Sequence, residues 1–287
     1  MITDRPYVGR FAPSPTGRLH MGSMVAAIGS FLEARSRGGK WLVRMEDLDP
    51  PREVPGAADD ILRTLEGMGL LWDGKVMHQS DRHEAYASAL ETLLEQDHAF
   101  GCICTRKDLM VAGGLEVYPG TCREGLPVGV QARSWRLKMP AEGELTWADG
   151  GFGPQHHLRS SVGDVVLKRA DGHWAYHLAS VVDDAAQGVT DVVRGQDLMA
   201  STAAHLAIQQ ALKVNAPSYV HLRVLRNEEG QKLSKQTKAP AVDLSESGKI
   251  IQETLCFLGQ PIPALDTPER MMKEASSNWH LPSQGLQ

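Results

Sequence analysis

The stretch Phe11-Ala-Pro-Ser-Pro-Thr-Gly-Arg-Leu-His20-Met-Gly22-Ser23 decides how this chain is read. Val8–Phe11 at its head suits a short buried strand. Pro13 and Pro15 cannot continue a helix or a central ladder, and Gly17 permits a tight turn. An apolar pattern of helical period then runs over 22–37, carried by Met24, Val25, Ile28, Phe31 and Leu32. Strand, loop and helix in this order open a nucleotide-binding fold. The start of such a helix offers N–H groups and a positive dipole end to phosphate. Gly22 lets a nucleotide lie against the backbone, and His20 can donate a hydrogen bond to a phosphate oxygen. A loop histidine without a ligand would look the same in isolation.

A second segment, Lys232-Leu-Ser-Lys235-Gln236, follows the polar, turn-rich run Arg226-Asn-Glu-Glu-Gly-Gln. Two lysines on a loop suit a transition state that gains negative charge. A solvated basic loop has the same composition; pairing with the first segment favours the phosphate role. Together the two segments resemble the signature of class I aminoacyl-tRNA synthetases. His20-Met-Gly22-Ser23 is similar to their "HIGH" motif, and Lys232-Leu-Ser-Lys235-Gln236 to their "KMSKS" motif, with Ser23 and Gln236 in place of the usual last residues. Arg10-Phe-Ala-Pro-Ser-Pro-Thr-Gly and Arg44-Met-Glu46-Asp-Leu-Asp49 narrow the resemblance to the glutamyl branch. The implied fold is α/β: a Rossmann-like class I synthetase catalytic domain with an inserted zinc-containing α+β subdomain.

Glutamate carries two carboxylates and an ammonium, so its site needs two arginines and an acid. Arg10 closes the first strand, Glu46 follows a predicted strand at 41–45, and Arg194 follows Asp191-Val-Val. In a parallel sheet these strand ends converge on one crevice. Tyr176, after the Asp171-Gly172 turn, can add a hydroxyl. The resemblance implies glutamate contacts from Arg10, Phe11, Ala12, Pro13, Ser14, Glu46, Tyr176 and Arg194. It implies ATP contacts from His20, Gly22, Ser23 and Lys235, with His20, Lys232 and Lys235 as the catalytic set. Arg44 and Asp49 read as structural.

Cys102 and Cys104 stand in Gly-Cys-Ile-Cys-Thr, and Cys122 follows Tyr118-Pro-Gly-Thr. Three thiolates leave a zinc ion short of one ligand, which could be Tyr118, His98, His83 or water. Three reduced thiols without metal are the plain alternative. Resemblance to the glutamyl-queuosine branch, where Cys-x-Cys precedes Tyr-x-x-x-Cys, implies a structural zinc ion on Cys102, Cys104, Tyr118 and Cys122. Cys256 stands alone in an apolar helical pattern and is expected in the core.

The 287 residues carry a net charge of −5, so contact with nucleic acid must rest on local basic patches. One candidate comprises Arg133, Arg136, Lys138, Arg159, Lys168 and Arg169. Long apolar runs and a signal-like start are both missing from the sequence, and a cytoplasmic monomer is expected. The expected divisions are 1–100 and 186–240 for the two halves of the catalytic domain, 101–185 for the insertion, and 241–287 for a short helical end. Further helices are predicted at 57–68, 82–96, 202–212 and 249–258, with a hairpin turning at Asp171-Gly172.

Glutamyl-tRNA synthetases continue past the lysine motif into a large anticodon-binding region, whereas only 237–287 follow here. The resemblance therefore implies ATP- and Mg²⁺-dependent activation of glutamate and its transfer to queuosine in the anticodon loop of tRNA(Asp). A short enzyme that charges a tRNA 3′ end is the alternative.

Overall fold

The computed structural model describes residues 5–226 and 240–282. Lys232, Lys235 and Gln236 thus lie outside the described residues. The chain opens with β1 (Val8–Phe11), α1 (Met21–Ser36), β2 (Lys40–Met45), α2 (Ala57–Gly67), β3 (Met77–His78) and α3 (His83–Glu95). The middle holds β4 (Ala99–Cys102), α4 (Arg106–Val111), β5 (Ser134–Leu137), β6 (Glu144–Asp149), β7 (Gly153–Leu158), α5 (Arg159–Val162) and β8 (Val166–Lys168). Then come α6 (Tyr176–Ala186), β9 (Asp191–Gly195), α7 (Met199–Leu212), β10 (Ser218–Leu222), α8 (Ser247–Phe257) and α9 (Pro268–Asn278).

Strands β1, β2 and β3 pair in parallel, as do β9 and β10. The two sets meet where the Thr190 N–H donates to the Val8 carbonyl at 2.9 Å. From this junction β1 leads out through α1 to β2, and β9 through α7 to β10. The chain therefore departs in opposite directions from neighbouring strands, which opens a crevice at their C-terminal ends. This is a mixed α/β fold around a parallel sheet.

Helix α1 is buried along most of its length because it lies between the sheet and helices α8 and α9. Met24, Ile28 and Leu32 face a core shared with Trp41, Leu65, Ile251 and Met271. Gly29 lets α1 approach β10 closely: a Cβ there would lie 2.5 Å from Leu222 Cδ1. A second core joins α3, α6 and α7 to β4, β5 and β6.

Three expectations need correction. The residues after Asp171-Gly172 form only an isolated bridge between Lys168 and Trp174, and Tyr176 then opens helix α6 instead of continuing a strand. Cys256 is exposed, since α8 buries the stripe Ile251, Thr254 and Leu255 and the next position turns outward. The polar end beyond α8 contains helix α9, whose Met271, Met272 and Ala275 form one buried stripe. The hairpin β6–β7 also extends the β9–β10 sheet, with β6 beside β10. No described helix is long and apolar enough to cross a membrane.

Candidate active site

The loop after β1 runs across the end of β2, where the Glu46 N–H donates to the Pro13 carbonyl at 2.9 Å. His20 caps α1: its Nδ1 accepts from the Ser23 N–H at 3.3 Å. With Nδ1 accepting, the neutral ring carries its proton on Nε2. The first turn of α1 contains no acidic residue of its own to offset its positive end. The chain returns from outside the described residues beside this turn, where Ala241 bridges to His20 and the Val242 N–H donates to the Leu19 carbonyl at 2.9 Å.

A cavity of about 630 Å³ opens at this point. Arg10, Phe11, Ala12, Pro13, Ser14, Glu46, Tyr176 and Arg194 line it, together with His20, Gly22 and Ser23. Every described residue expected to contact glutamate or ATP thus faces one space. A groove of about 670 Å³ between α1 and α9 contains none of them.

The charged groups in the crevice are held in two networks. Asp184 Oδ1 accepts from Arg10 Nε at 3.1 Å and from Arg44 Nη1 at 2.8 Å. Arg44 also donates to Gln187 Oε1 at 2.8 Å and lies 3.5 Å from Glu46 Oε1. Arg44 is fully buried and supports Glu46 from behind. Burial pushes the Asp184 carboxyl up, but Arg10 and Arg44 outweigh it and hold the group below its ordinary value. For Glu46 burial wins over Arg44 and Arg10, and its carboxyl is raised. An ammonium ion beside Glu46 would restore the ionised form.

In the second network Arg194 donates to Tyr176 Oη at 3.1 Å, the Leu198 carbonyl at 3.1 Å, Thr202 Oγ1 at 2.7 Å and His221 Nε2 at 3.2 Å. These acceptors are neutral, whereas Arg10 is paired with a carboxylate. His177 and His205 lie against the ring of Tyr176, with ring centroids 5.5 Å and 5.3 Å away. Burial, aided by Arg194, pushes His177 down to about 4 and lowers His205 as well. Both stay neutral beside the arginine at physiological pH.

Asp184, Thr202, His221 and Asp149 were not foreseen. The Asp183-Asp184 doublet inside the apolar run Leu178–Ala186 was the available signal, because a buried carboxylate requires cationic partners. Asp184→Asn should destabilise the protein by about 3–5 kcal/mol, since it leaves two buried guanidinium groups short of an anion. Denaturant unfolding at neutral pH measures this. The native value of Asp184 is depressed, so its contribution is complete above the unfolded value of about 3.9 and is lost as pH falls through the native one. The difference between the two proteins should narrow accordingly in acid. Equal stability at neutral pH would contradict the role given to Asp184.

The cysteines converge on β4 and the loop beyond α4. Sγ of Cys102, Cys104 and Cys122 lie within 4.8 Å of one another. Tyr118 Oη is 3.4 Å from Cys102 Sγ and 3.5 Å from Cys104 Sγ, and the sulfurs of Cys104 and Cys122 are 3.6 Å apart. Tetrahedral zinc bonds of ~2.3 Å to sulfur and ~2.0 Å to oxygen require edges of about 3.8 and 3.5 Å. The donor set fits that geometry. Burial pushes the Cys102 thiol up, but the Tyr118 hydroxyl, the Cys104 backbone and Arg136 draw it down to about 7.

Most of the suspected basic patch is engaged locally. Arg136 lies over the Tyr118 ring, Lys168 over the rings of Trp135 and Trp174, and Arg159 donates to Gln210. Lys138 pairs with Asp97, and Arg169 with Asp171. Asp49 pairs with Arg52 outside the crevice.

Comparison with known proteins accords with this geometry. The family model for class I tRNA synthetases (E and Q), catalytic domain, matches residues 7–112 and 128–255. A glutamyl-Q tRNA(Asp) synthetase of Chromobacterium violaceum is 56% identical over 286 residues, covering 98% of this chain and 96% of the relative. One from Dechloromonas aromatica is 54% identical over 268 residues, covering 91% and 88%. The crystal structure of a glutamate tRNA ligase from Elizabethkingia meningosepticum in complex with its amino acid superposes with a TM-score of 0.82 at 25% identity. That match takes in 97% of this chain, which spans 66% of the ligase. The chain belongs to the class I tRNA synthetases of the glutamyl and glutaminyl type, and within them to the family of the glutamyl-Q tRNA(Asp) synthetases.

Proposed function

We propose that the protein activates glutamate with ATP and transfers it to queuosine at the wobble position of tRNA(Asp). One observation carries the reading: Arg10, Glu46, Tyr176 and Arg194 share a single crevice with His20 and the N-terminus of α1. The names of the relatives at 54–56% identity support the choice of acceptor.

In the first step an oxygen of the glutamate α-carboxylate attacks the α-phosphorus of ATP. The bond from that phosphorus to the bridging oxygen breaks, and pyrophosphate leaves. Most of the protein's contribution is placement and charge stabilisation. Arg10 and Arg194 hold the carboxylates, Glu46 takes the ammonium, and Tyr176 adds its hydroxyl. His20, with its proton on Nε2, and the N–H groups near Gly22 and Ser23 meet phosphate oxygens. Lys232 and Lys235 neutralise charge on the α-phosphate and the departing pyrophosphate, and ATP enters as its Mg²⁺ complex. In the second step a hydroxyl of the queuosine ring attacks the activated carbonyl carbon and AMP leaves. Bases of a single-stranded loop can be splayed out to reach such a crevice. The test is transfer of labelled glutamate to tRNA(Asp) with and without queuosine.

We also assign Cys102, Cys104, Tyr118 and Cys122 to a structural zinc ion. Bound there, zinc would crosslink β4 to the loop that carries Tyr118 and Cys122. Metal analysis of the purified protein should find one zinc ion per chain. Cys122→Ala should lose it and melt at a lower temperature. Metal-free protein that melts like the metal-loaded form would contradict the assignment.

A further inference from the structure

We propose that Asp149 and His221 form a buried relay that fixes the orientation of Arg194, and so act as positioning residues for recognition of the amino acid. The inference rests on the reading of Arg194 as a glutamate ligand. The three residues lie on adjacent strands β6, β10 and β9, and Asp149 and His221 have fully buried side chains. Asp149 Oδ1 accepts from the backbone N–H groups of Gly151 at 3.0 Å, Phe152 at 3.0 Å and His221 at 3.2 Å. Its Oδ2 meets His221 Nδ1.

The far side of the imidazole fixes the tautomer. His221 Nε2 lies 3.2 Å from Arg194 Nε. A guanidinium group only donates, so Nε2 must accept. The ring proton therefore sits on Nδ1 and is donated to Asp149. Thr202 Oγ1 receives Arg194 Nη2 at 2.7 Å and lies 3.3 Å from the same His221 Nε2. With Nε and Nη2 anchored, Nη1 of the planar fork is directed to Tyr176 and the crevice. Asp149 remains ionised: burial raises its carboxyl, but the His221 ring and the backbone N–H groups outweigh it and leave it below the ordinary range. β6 arises in the middle region of the chain, so a strand remote in sequence from the signature motifs helps to set the amino-acid site.

Asp149→Asn tests the relay. The asparagine can keep the backbone N–H groups on its oxygen, but it then presents an NH₂ group to His221 Nδ1. That group forces the ring proton onto Nε2, where it faces Arg194 Nε–H as donor against donor. In glutamate-dependent pyrophosphate exchange the KM for glutamate should rise about 10- to 100-fold, while the KM for ATP stays within about twofold. Adding His221→Gln supplies a carbonyl oxygen that accepts from Arg194 whatever stands at position 149, so the double variant should recover most of the loss. A double variant no better than the single one, or a single variant with unchanged KM for glutamate, overturns the relay. Arg194→Ala separates the two ideas. If it leaves the KM for glutamate unchanged, the glutamate role of Arg194 fails. If it raises that KM while Asp149→Asn does not, only the relay fails. Should Asp149→Asn not fold, ¹⁵N-histidine NMR of the unmutated protein at neutral pH decides the matter. A proton on Nδ1 of His221 is expected, and a proton on Nε2 overturns the relay.

Discussion

Lys235→Ala should slow formation of glutamyl-adenylate by about 100- to 1,000-fold. A group aimed at charge that develops only in the transition state contributes most of its effect to the rate, and its loss typically costs ~3–4 kcal/mol. As the α-phosphorus becomes five-coordinate and pyrophosphate departs, negative charge moves outward onto oxygens that the α1 N-terminus cannot all reach. A lysine supplies a compact full charge there. Lys235 lies outside the described residues, but the flanks of its segment do not: Val224 and Leu225 line the crevice, and Ala241 bridges to His20. Glutamate-dependent pyrophosphate exchange, followed beside the melting curve, measures the effect. The KM for glutamate should change little, because Arg10, Glu46 and Arg194 remain. Exchange at the unmutated rate in a folded variant would remove Lys235 from the mechanism.

What the sequence discloses about the crevice follows from where each residue stands. Arg10, Glu46 and Arg194 close or follow parallel strands, and strand ends in such a sheet converge, so a local pattern was enough to bring them together. His20 and Gly22 stand at a helix start marked by prolines and a turn glycine. Asp184 escaped notice for a different reason. The Asp171-Gly172 turn reads as the tip of a hairpin, which hides the helix beginning at Tyr176 and the face on which Asp184 meets Arg10 and Arg44. Asp149 and His221 escaped because their meeting depends on the β6–β7 hairpin joining a distant sheet, a pairing that no local periodicity encodes. Thr267 and Pro268 mark the start of helix α9, but with only three buried side chains its apolar pattern is faint in the sequence. The apolar neighbours of Cys256 point to a core position, whereas one helical step of rotation exposes it.

In the glutamate site proposed above, the two networks would divide the work of recognising a doubly acidic substrate. Arg10 is neutralised in part by Asp184, which holds it at the crevice. Arg194 is anchored by neutral groups, and the neighbouring histidines His177 and His205 add no charge of their own. Its attraction for a carboxylate is therefore undiminished by those partners, which in the proposed site would favour glutamate over an uncharged amide of the same shape.

The acceptor gives the most direct measurement. Labelled glutamate, ATP and the protein are incubated with tRNA(Asp) that carries queuosine and with the same tRNA that lacks it. The account predicts ATP-dependent label on the queuosine-containing tRNA alone, recovered in the anticodon-loop fragment after nuclease digestion. Equal labelling of both tRNAs, or label at the 3′ end, would contradict it.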